Sequence, residues 1–518
     1  MRIPVTRSPL QIFPDVKRVV ARFFFNSTQR TIDLAEHLLA LSEDEAWGEL
    51  QQILRSFARR HRDVSNIFRK HYNFVESTLL QHDLPVEHIS NNRRLLIGAY
   101  FTKEYSIEAA AFFNPSCVLA PDQSGLLPDE TRLVMSMRAT GEGHLSSLEF
   151  RHLVVDRDGD IRIDPAADRI EEARFVREHE YNRDNFCRKL TEMSDAEHSC
   201  HRIIQTLPPT FTYDELKMRL SKAMHDAETE GGIDQTEYQE VMWLADSHHD
   251  ISFSKDTDIS ERVILPISEW ESRGIEDARF VRFVGDGEGD NEGEPDVTYY
   301  ATYTAYDGFT ILPKLIETKD FYRFKIRPIY GDGASNKNLA LFPRKVNGKY
   351  FMLARIDGVN NYIMESESLT VWTAPRLLLG PKHPWEFVQM GNCGSPIETP
   401  HGWLLITHGV GPMRTYRLGC ALLDLDDPTR VVARLPYPLL SPEENEREGY
   451  VPNVVYSCGS VILGERLLVP YAVSDYASGF AWVDVDKLME ELLHYRVDGE
   501  PQAVENGTTR ERPVAAKW

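Results

Sequence analysis

The chain has 518 residues, 42% hydrophobic and 27% charged, and 58 Lys and Arg against 80 Asp and Glu give a formal charge of −22. That is a water-soluble, globular composition. Its acidic excess argues against a nucleic-acid backbone as main partner, since counterion release needs a dense Lys/Arg face, and no apolar stretch nears the roughly 18–20 residues that cross a bilayer.

The opening residues Met1-Arg2-Ile3-Pro4 run into Pro14, Asp15 and Lys17, not into the continuous apolar stretch of a secretory leader. Cys117, Cys187, Cys200, Cys393, Cys420 and Cys458 form no Cys-x-x-Cys pair, so reduced thiols in a cytoplasmic protein are the simplest account. From Thr31 to about Leu80 the pattern is helical. Ser42 and Glu45 have capping-box spacing, and Leu50, Ile53, Leu54 and Phe57 follow at i, i+3, i+4 and i+7. Residues 1–92 are therefore expected to form an N-terminal helical segment. Its basic cluster Arg55, Arg59, Arg60 and Arg62 reads as a solvated helix face or a contact between copies of the chain.

After about residue 90 short β-rich runs recur, each entering from a turn and leaving through a polar residue near a glycine. They are Glu130–Gly141, Asp296–Gly308, Asn347–Gly358, His401–Gly409 and Gly464–Asp475. The last four start about 50–60 residues apart, close to the period of a propeller blade. The fold class expected is all-β, a five-bladed β-propeller over 93–498, with a sandwich or barrel as the alternative. Tyr213–Met224 and Gln235–Asp246 are again helical and read as an insertion between blades, at about 190–260. Residues 499–518 have no apolar period and are expected to be a disordered tail.

Several signals have plain structural readings. Asp156, Asp158 and Asp160 resemble a calcium loop, but Ile161 stands where such a loop needs glycine, so Asp158-Gly159 reads as a hairpin turn. Gly285–Asp296 is acidic and glycine-rich, an exposed loop rather than a phosphate cradle. His248-His249 lacks a partner at metal spacing, and no metal or organic cofactor is expected.

Other signals carry chemistry. In Gly274-Ile275-Glu276-Asp277-Ala278-Arg279-Phe280 two adjacent carboxylates face opposite sides of a strand, so one can enter a pocket while Arg279 orients Asp277. A structural Asp–Arg pair is the competing account. Arg344 and Arg355 flank the hairpin turned at Asn347-Gly348, and guanidinium forks suit phosphate or carboxylate. His408 and Asp475 end two other repeated strands, and in a propeller such ends converge where ligands bind.

At these residues the sequence resembles the β-mannoside phosphorylases of glycoside hydrolase family 130. The matching stretches are 274–280, 340–358, 391–411 and 471–479, with 112–116 and 137–151 nearer the front. The resemblance implies a five-bladed propeller and an inverting phosphorylase that cleaves β-mannosidic bonds with inorganic phosphate, giving α-mannose 1-phosphate. It implies Asp277 as general acid, acting through the sugar's 3-hydroxyl, with Asn114, Ser116, Arg138, Glu276 and Asp475 as sugar contacts. Arg344, Arg355 and His408 fall where the family places phosphate, and Gln389 stands where its phosphorylases typically carry a lysine. That departure keeps an inverting β-mannoside hydrolase open as an alternative, beside a non-catalytic glycan-binding propeller. Partners implied are a β-mannoside oligosaccharide and phosphate, with the N-terminal helices as a surface for homo-oligomers. The helical parts resemble those of larger members acting on β-1,2-linked mannose oligomers.

Overall fold

The computed structural model describes residues 3–25, 27–176, 180–193, 199–226, 235–267, 271–288, 295–306 and 311–497. The expected tail at 499–518 and the centre of the 285–296 run lie outside them. The chain is mostly sheet, with helices near its start, in an insertion and at its end.

Each of the five repeated units is the second strand of a four-strand antiparallel meander. The first sheet runs Ala111–Leu119, Thr131–Thr140, Ser146–Val155 and Arg262–Ile264, and the second runs Gly274–Glu288, Pro295–Tyr306, Ile311–Thr318 and Arg323–Pro328. The third has Lys337–Leu341, Tyr350–Arg355, Asn361–Ser366 and Arg376–Leu379; the fourth has Gln389–Asn392, Gly402–Val410, Tyr416–Leu423 and Val431–Arg434. The fifth takes Val455–Tyr456, Arg466–Val473 and Ala477–Asp484 from the end of the chain and Val5–Ile12 from its start.

Strand Gly402–Val410 is buried at every position. Strands covered on both faces read as near-continuous apolar runs rather than alternating ones. The cores explain this, because each lies between successive sheets: Phe150 with Phe280, Phe283 with Met352, Phe342 with Trp403, and Leu404 with Val469. The fifth sheet packs back on the first through Phe480 and Leu133.

Two parts of the chain differ from the sequence reading. The N-terminal segment is not helical throughout: Val5–Ile12 pairs with Ala477–Asp484, and Val19–Phe23 pairs with Thr102–Ser106. The first of these has no helical or alternating pattern and contains Pro9, tolerated because this is an edge strand whose register shifts between Arg7 and Gln11. Helices follow at Thr28–Ala40, Glu43–Phe57, Val64–Gln81 and Asn91–Tyr100, and the Ser42/Glu45 capping box forms. Arg60 and Arg62 are tied to Glu104 and Glu261. The helical insertion lies within the first sheet, between its third and fourth strands, not between two sheets. It also reaches sideways: Arg174–Val176 and His249–Ser252 extend the outer edge of the second sheet. Asp158-Gly159 is a turn, with Gly159 at φ 86° and Asp160 N donating to Asp156 Oδ1 at 2.9 Å.

Candidate active site

The first strand in each of the first three sheets carries one left-handed residue at a slip in register: Asn114 (φ 52°), Asp277 (φ 54°) and Asn338 (φ 65°). Asn and Asp tolerate this conformation better than other side chains except glycine. Such a bulge re-aims the side chain it carries. In the fourth and fifth sheets the first strand breaks instead, at Cys393-Gly394-Ser395 and Cys458-Gly459-Ser460. There the backbones nearly touch, and a Cβ on Gly394 would lie 2.4 Å from Cys458 O.

These five interruptions gather the polar residues. Asn114 Nδ2 donates to Asp277 Oδ1 at 2.6 Å, and Arg279 holds the other side of Asp277 by donating to its carbonyl at 2.8 Å. Arg138 donates to Glu276 Oε1 at 3.1 Å and lies 3.8 Å from Asp277 Oδ1. Burial pushes the Glu276 carboxyl up, but Arg138 and Lys337 outweigh it and hold the group at about 2. Asp475 (φ 50°) lies in the turn between the second and third strands of the fifth sheet. Its carboxyl is raised to about 7 by burial and by Asp277 and Glu276, against the pull of Arg138 and Arg414. Of three neighbouring carboxyls, one is thus firmly ionised and one titrates near neutrality.

A second cluster lies between the third and fourth sheets. Arg355 NH1 donates to His408 Nε2 at 3.4 Å, and the missing side chain of Gly391 lets them approach, since a Cβ there would sit 2.6 Å from His408 Cε1. His408 Nδ1 donates to Asn392 O at 3.2 Å, which fixes the tautomer that leaves Nε2 as acceptor. Burial, then Arg355 and Arg279, push the imidazole well below its usual value, so His408 is neutral. Gln389 joins at one remove: its Nε2 donates to Tyr416 OH at 3.1 Å, and the Tyr416 ring stacks on His408.

Arg279 links the clusters from below. It is 2% exposed and donates to Tyr456 OH at 2.5 Å; Asn338 Nδ2 donates to the same oxygen at 2.9 Å, and Asn392 Nδ2 donates to Asn338 O at 2.6 Å. Among the described residues of the two clusters, Asn114 Oδ1, Arg138 Nε, Arg279 Nε and Arg355 Nε are buried without a hydrogen-bond partner. Buried polar atoms are ordinarily paired, so this concentration of unpaired ones marks the region as a place where a polar ligand would be held.

Asn114, Arg138, Glu276, Asp277, Arg355, His408, Gln389 and Asp475 are therefore brought to one region, and two expectations change. Ser116 is fully buried and its Oγ accepts from Phe280 N at 3.1 Å, so it joins the first two sheets and cannot touch a sugar. Arg344 sits at the turn end of its hairpin, where Glu398 takes it bidentately at 2.7 Å and it lies over Trp403, whereas Arg355 pairs with Lys337 at the opposite end. His408 is not a cation. The cation that sequence reasoning missed is Lys337, whose Nζ donates to Glu276 Oε2 at 2.6 Å.

The model of glycoside hydrolase family 130, described as β-1,4-mannooligosaccharide phosphorylase, matches residues 237–494, the second to fifth sheets. The chain is 36% identical over 225 residues to a 1,2-β-oligomannan phosphorylase of Thermoanaerobacter sp. (strain X514), covering 42% of this chain and 71% of that protein. It is 31% identical over 292 residues to a β-1,2-mannobiose phosphorylase of Listeria innocua, covering 54% and 75%. A β-1,2-mannobiose phosphorylase of the same Thermoanaerobacter strain is 35% identical over 238 residues, covering 43% and 70%. With its order of motifs and this extent of identity, the chain belongs to glycoside hydrolase family 130.

Proposed function

We propose that the protein is an inverting phosphorylase of terminal β-mannosidic bonds. The observation that carries this is the division of the site into a carboxylate cluster around Asp277 and a separate cluster in which Arg355 is the cation. A phosphate oxygen attacks C1 from the face opposite the leaving sugar, the C1–O bond breaks, and the leaving oxygen takes a proton that Asp277 supplies by way of the sugar's 3-hydroxyl. The products are α-mannose 1-phosphate and a shortened sugar. An inverting hydrolase needs a second carboxylate to activate water; one beside Arg355 would repel phosphate.

The five sheets, each packed on the next and the fifth on the first, support a five-bladed propeller closed by Val5–Ile12, with the site at one end of its axis. No organic cofactor enters the reaction; phosphate is the co-substrate. The buried free thiols of Cys117, Cys393, Cys420 and Cys458 support a reducing, cytoplasmic setting. Exposed rings of Phe24, Phe25 and Phe74 on the N-terminal segment support self-association there. The names of the three relatives make β-1,2-linked mannosides the first substrates to assay.

Incubating the protein with β-1,2-mannobiose, with and without phosphate, tests the reading. Mannose 1-phosphate should form only with phosphate, and Asp277→Asn should lose at least about 10²-fold in rate, the range of general acid catalysis. Equal release of free mannose in both tubes would sink phosphorolysis in favour of the hydrolase, and sugar binding without turnover would favour the non-catalytic reading.

A further inference from the structure

Tyr456 ends the short first strand of the fifth sheet, just before that strand breaks at Cys458-Gly459-Ser460, and its side chain is buried between the two clusters. Its ring meets His408 edge to face, with centroids 5.0 Å apart at 64°, and lies 6.3 Å from the Tyr416 ring. The hydroxyl is reached by Arg279 NH2 at 2.5 Å and by Asn338 Nδ2 at 2.9 Å.

The hydrogen bonds of this hydroxyl leave one group over. A guanidinium can only donate. The Asn338 amide is held the same way round, because its Nδ2 also donates to Asn392 O at 3.3 Å, and a flipped amide would set two oxygens against each other there. Both contacts therefore use lone pairs of the phenol oxygen, and its own proton has no acceptor among the described residues. Buried donors are ordinarily paired, and a charged donor on the same oxygen polarises the O–H bond and strengthens it as a donor.

The neighbouring cluster is short of donors for an anion. Glu398 engages Arg344, Gln389 donates to Tyr416, and His408 presents Nε2 as an acceptor, which leaves Arg355 as the cation. Phosphate oxygens are charged acceptors, which form the stronger class of hydrogen bond. We propose that Tyr456 is a phosphate-binding residue, whose phenolic O–H donates to an oxygen of the attacking phosphate. This rests on the phosphorylase reading of the site.

The test is the phosphate dependence of Tyr456→Phe, which keeps the ring and removes the proton. With β-1,2-mannobiose saturating, its phosphate KM should rise by about 10-fold or more, as expected for a hydrogen bond to a charged group, while its mannobiose KM stays within about threefold. Calorimetric titration of inorganic phosphate into Asp277→Asn, with and without Tyr456→Phe and with mannobiose present, should show the same loss while turnover is suppressed. A phosphate KM within about twofold of wild type, or an equal rise for phosphate and sugar, overturns the proposal. A structure of the wild type with inorganic phosphate bound reads the contact without a variant: a phosphate oxygen should lie about 2.5–3.0 Å from Tyr456 OH. A phosphate held by Arg355 out of reach of the phenol overturns the proposal. Equal cleavage by the wild type with and without phosphate overturns the phosphorylase reading as well, whereas an unchanged phosphate KM in a phosphate-dependent enzyme overturns the role of Tyr456 alone.

Discussion

Asn114 and Asp277 face each other across the seam between the first and second sheets, both with left-handed backbones, joined by one hydrogen bond of 2.6 Å. The amide donor fixes one carboxylate oxygen, while Arg279 holds the peptide of the same residue from the other side. The acid is thus aimed by neighbours on both flanks, which is how a catalytic group is held in one productive geometry.

Backbone and side chain can be separated at Asn114. Asn114→Gly keeps the left-handed conformation and removes the amide, whereas Asn114→Ala removes the amide and strains the bulge. Both should lower kcat by about 10-fold or more, since positioning errors are costly. Only Asn114→Ala should add a further stability loss of about 1 kcal/mol, read from thermal melting. An Asn114→Gly variant with wild-type kcat would mean that Asp277 does not depend on this bond.

The two hairpin arginines should behave differently. Arg344 is engaged by Glu398 at the surface, so Arg344→Ala should leave the phosphate KM within about twofold and cost no more than about 1 kcal/mol of stability. Arg355→Ala should raise the phosphate KM by at least about 10-fold, because a charged hydrogen bond contributes about 1.5–3 kcal/mol. Steady-state kinetics with varied phosphate checks both. A similar rise in the two variants would contradict the separation of Arg344 from the site.

The same hairpin illustrates what could be read in advance. The Asn347-Gly348 turn was legible, and counting outward from it puts Arg344 beside the turn and Arg355 opposite the start of the preceding strand, where Lys337 lies. Chemistry alone grouped the two arginines; pairing distance separates them. The repeated second strands were legible because strands covered on both faces must be apolar throughout. Val5–Ile12 was not, because a strand at the edge of a sheet is free to be polar and to carry proline. Ser116 had the residue type of a sugar contact, but only the fold shows that its hydroxyl is used by Phe280. The neutral state of His408 depends on burial and on two arginines from other sheets, which no local pattern reveals.

Gln389 distinguishes the two nucleophiles. It donates to Tyr416, which stacks on His408 beside Arg355, so Gln389→Lys adds a cation at the edge of the proposed phosphate site. With phosphate as nucleophile, replacing a neutral hydrogen bond of about 1 kcal/mol by a charged one of about 1.5–3 kcal/mol should lower the phosphate KM by about 2- to 30-fold. With water as nucleophile, the new charge would depress the pKa of a carboxylate base and slow hydrolysis. No change in rate or phosphate dependence would put Gln389 outside the reacting region.

Asp475 should leave a signature in stability. Its folded-state pKa of about 7 lies above the ordinary value of 3.8, raised by burial and by Asp277 and Glu276. Between these two values the folded protein holds a proton that the unfolded chain has lost. Stability therefore falls as pH rises from about 4 to about 7, and the contribution flattens above that. His408 acts in the opposite sense, because its pKa is held well below 6.5: the unfolded chain gains a proton that the folded protein refuses, so stability falls as pH drops below about 6.5. Asp475→Asn keeps His408 and removes only the first effect. Melting temperatures of wild type and Asp475→Asn measured from pH 5 to pH 8 should therefore diverge, with the variant gaining on the wild type as pH rises. Parallel curves would mean that Asp475 stays ionised throughout and that Arg138 and Arg414 outweigh its two acidic neighbours.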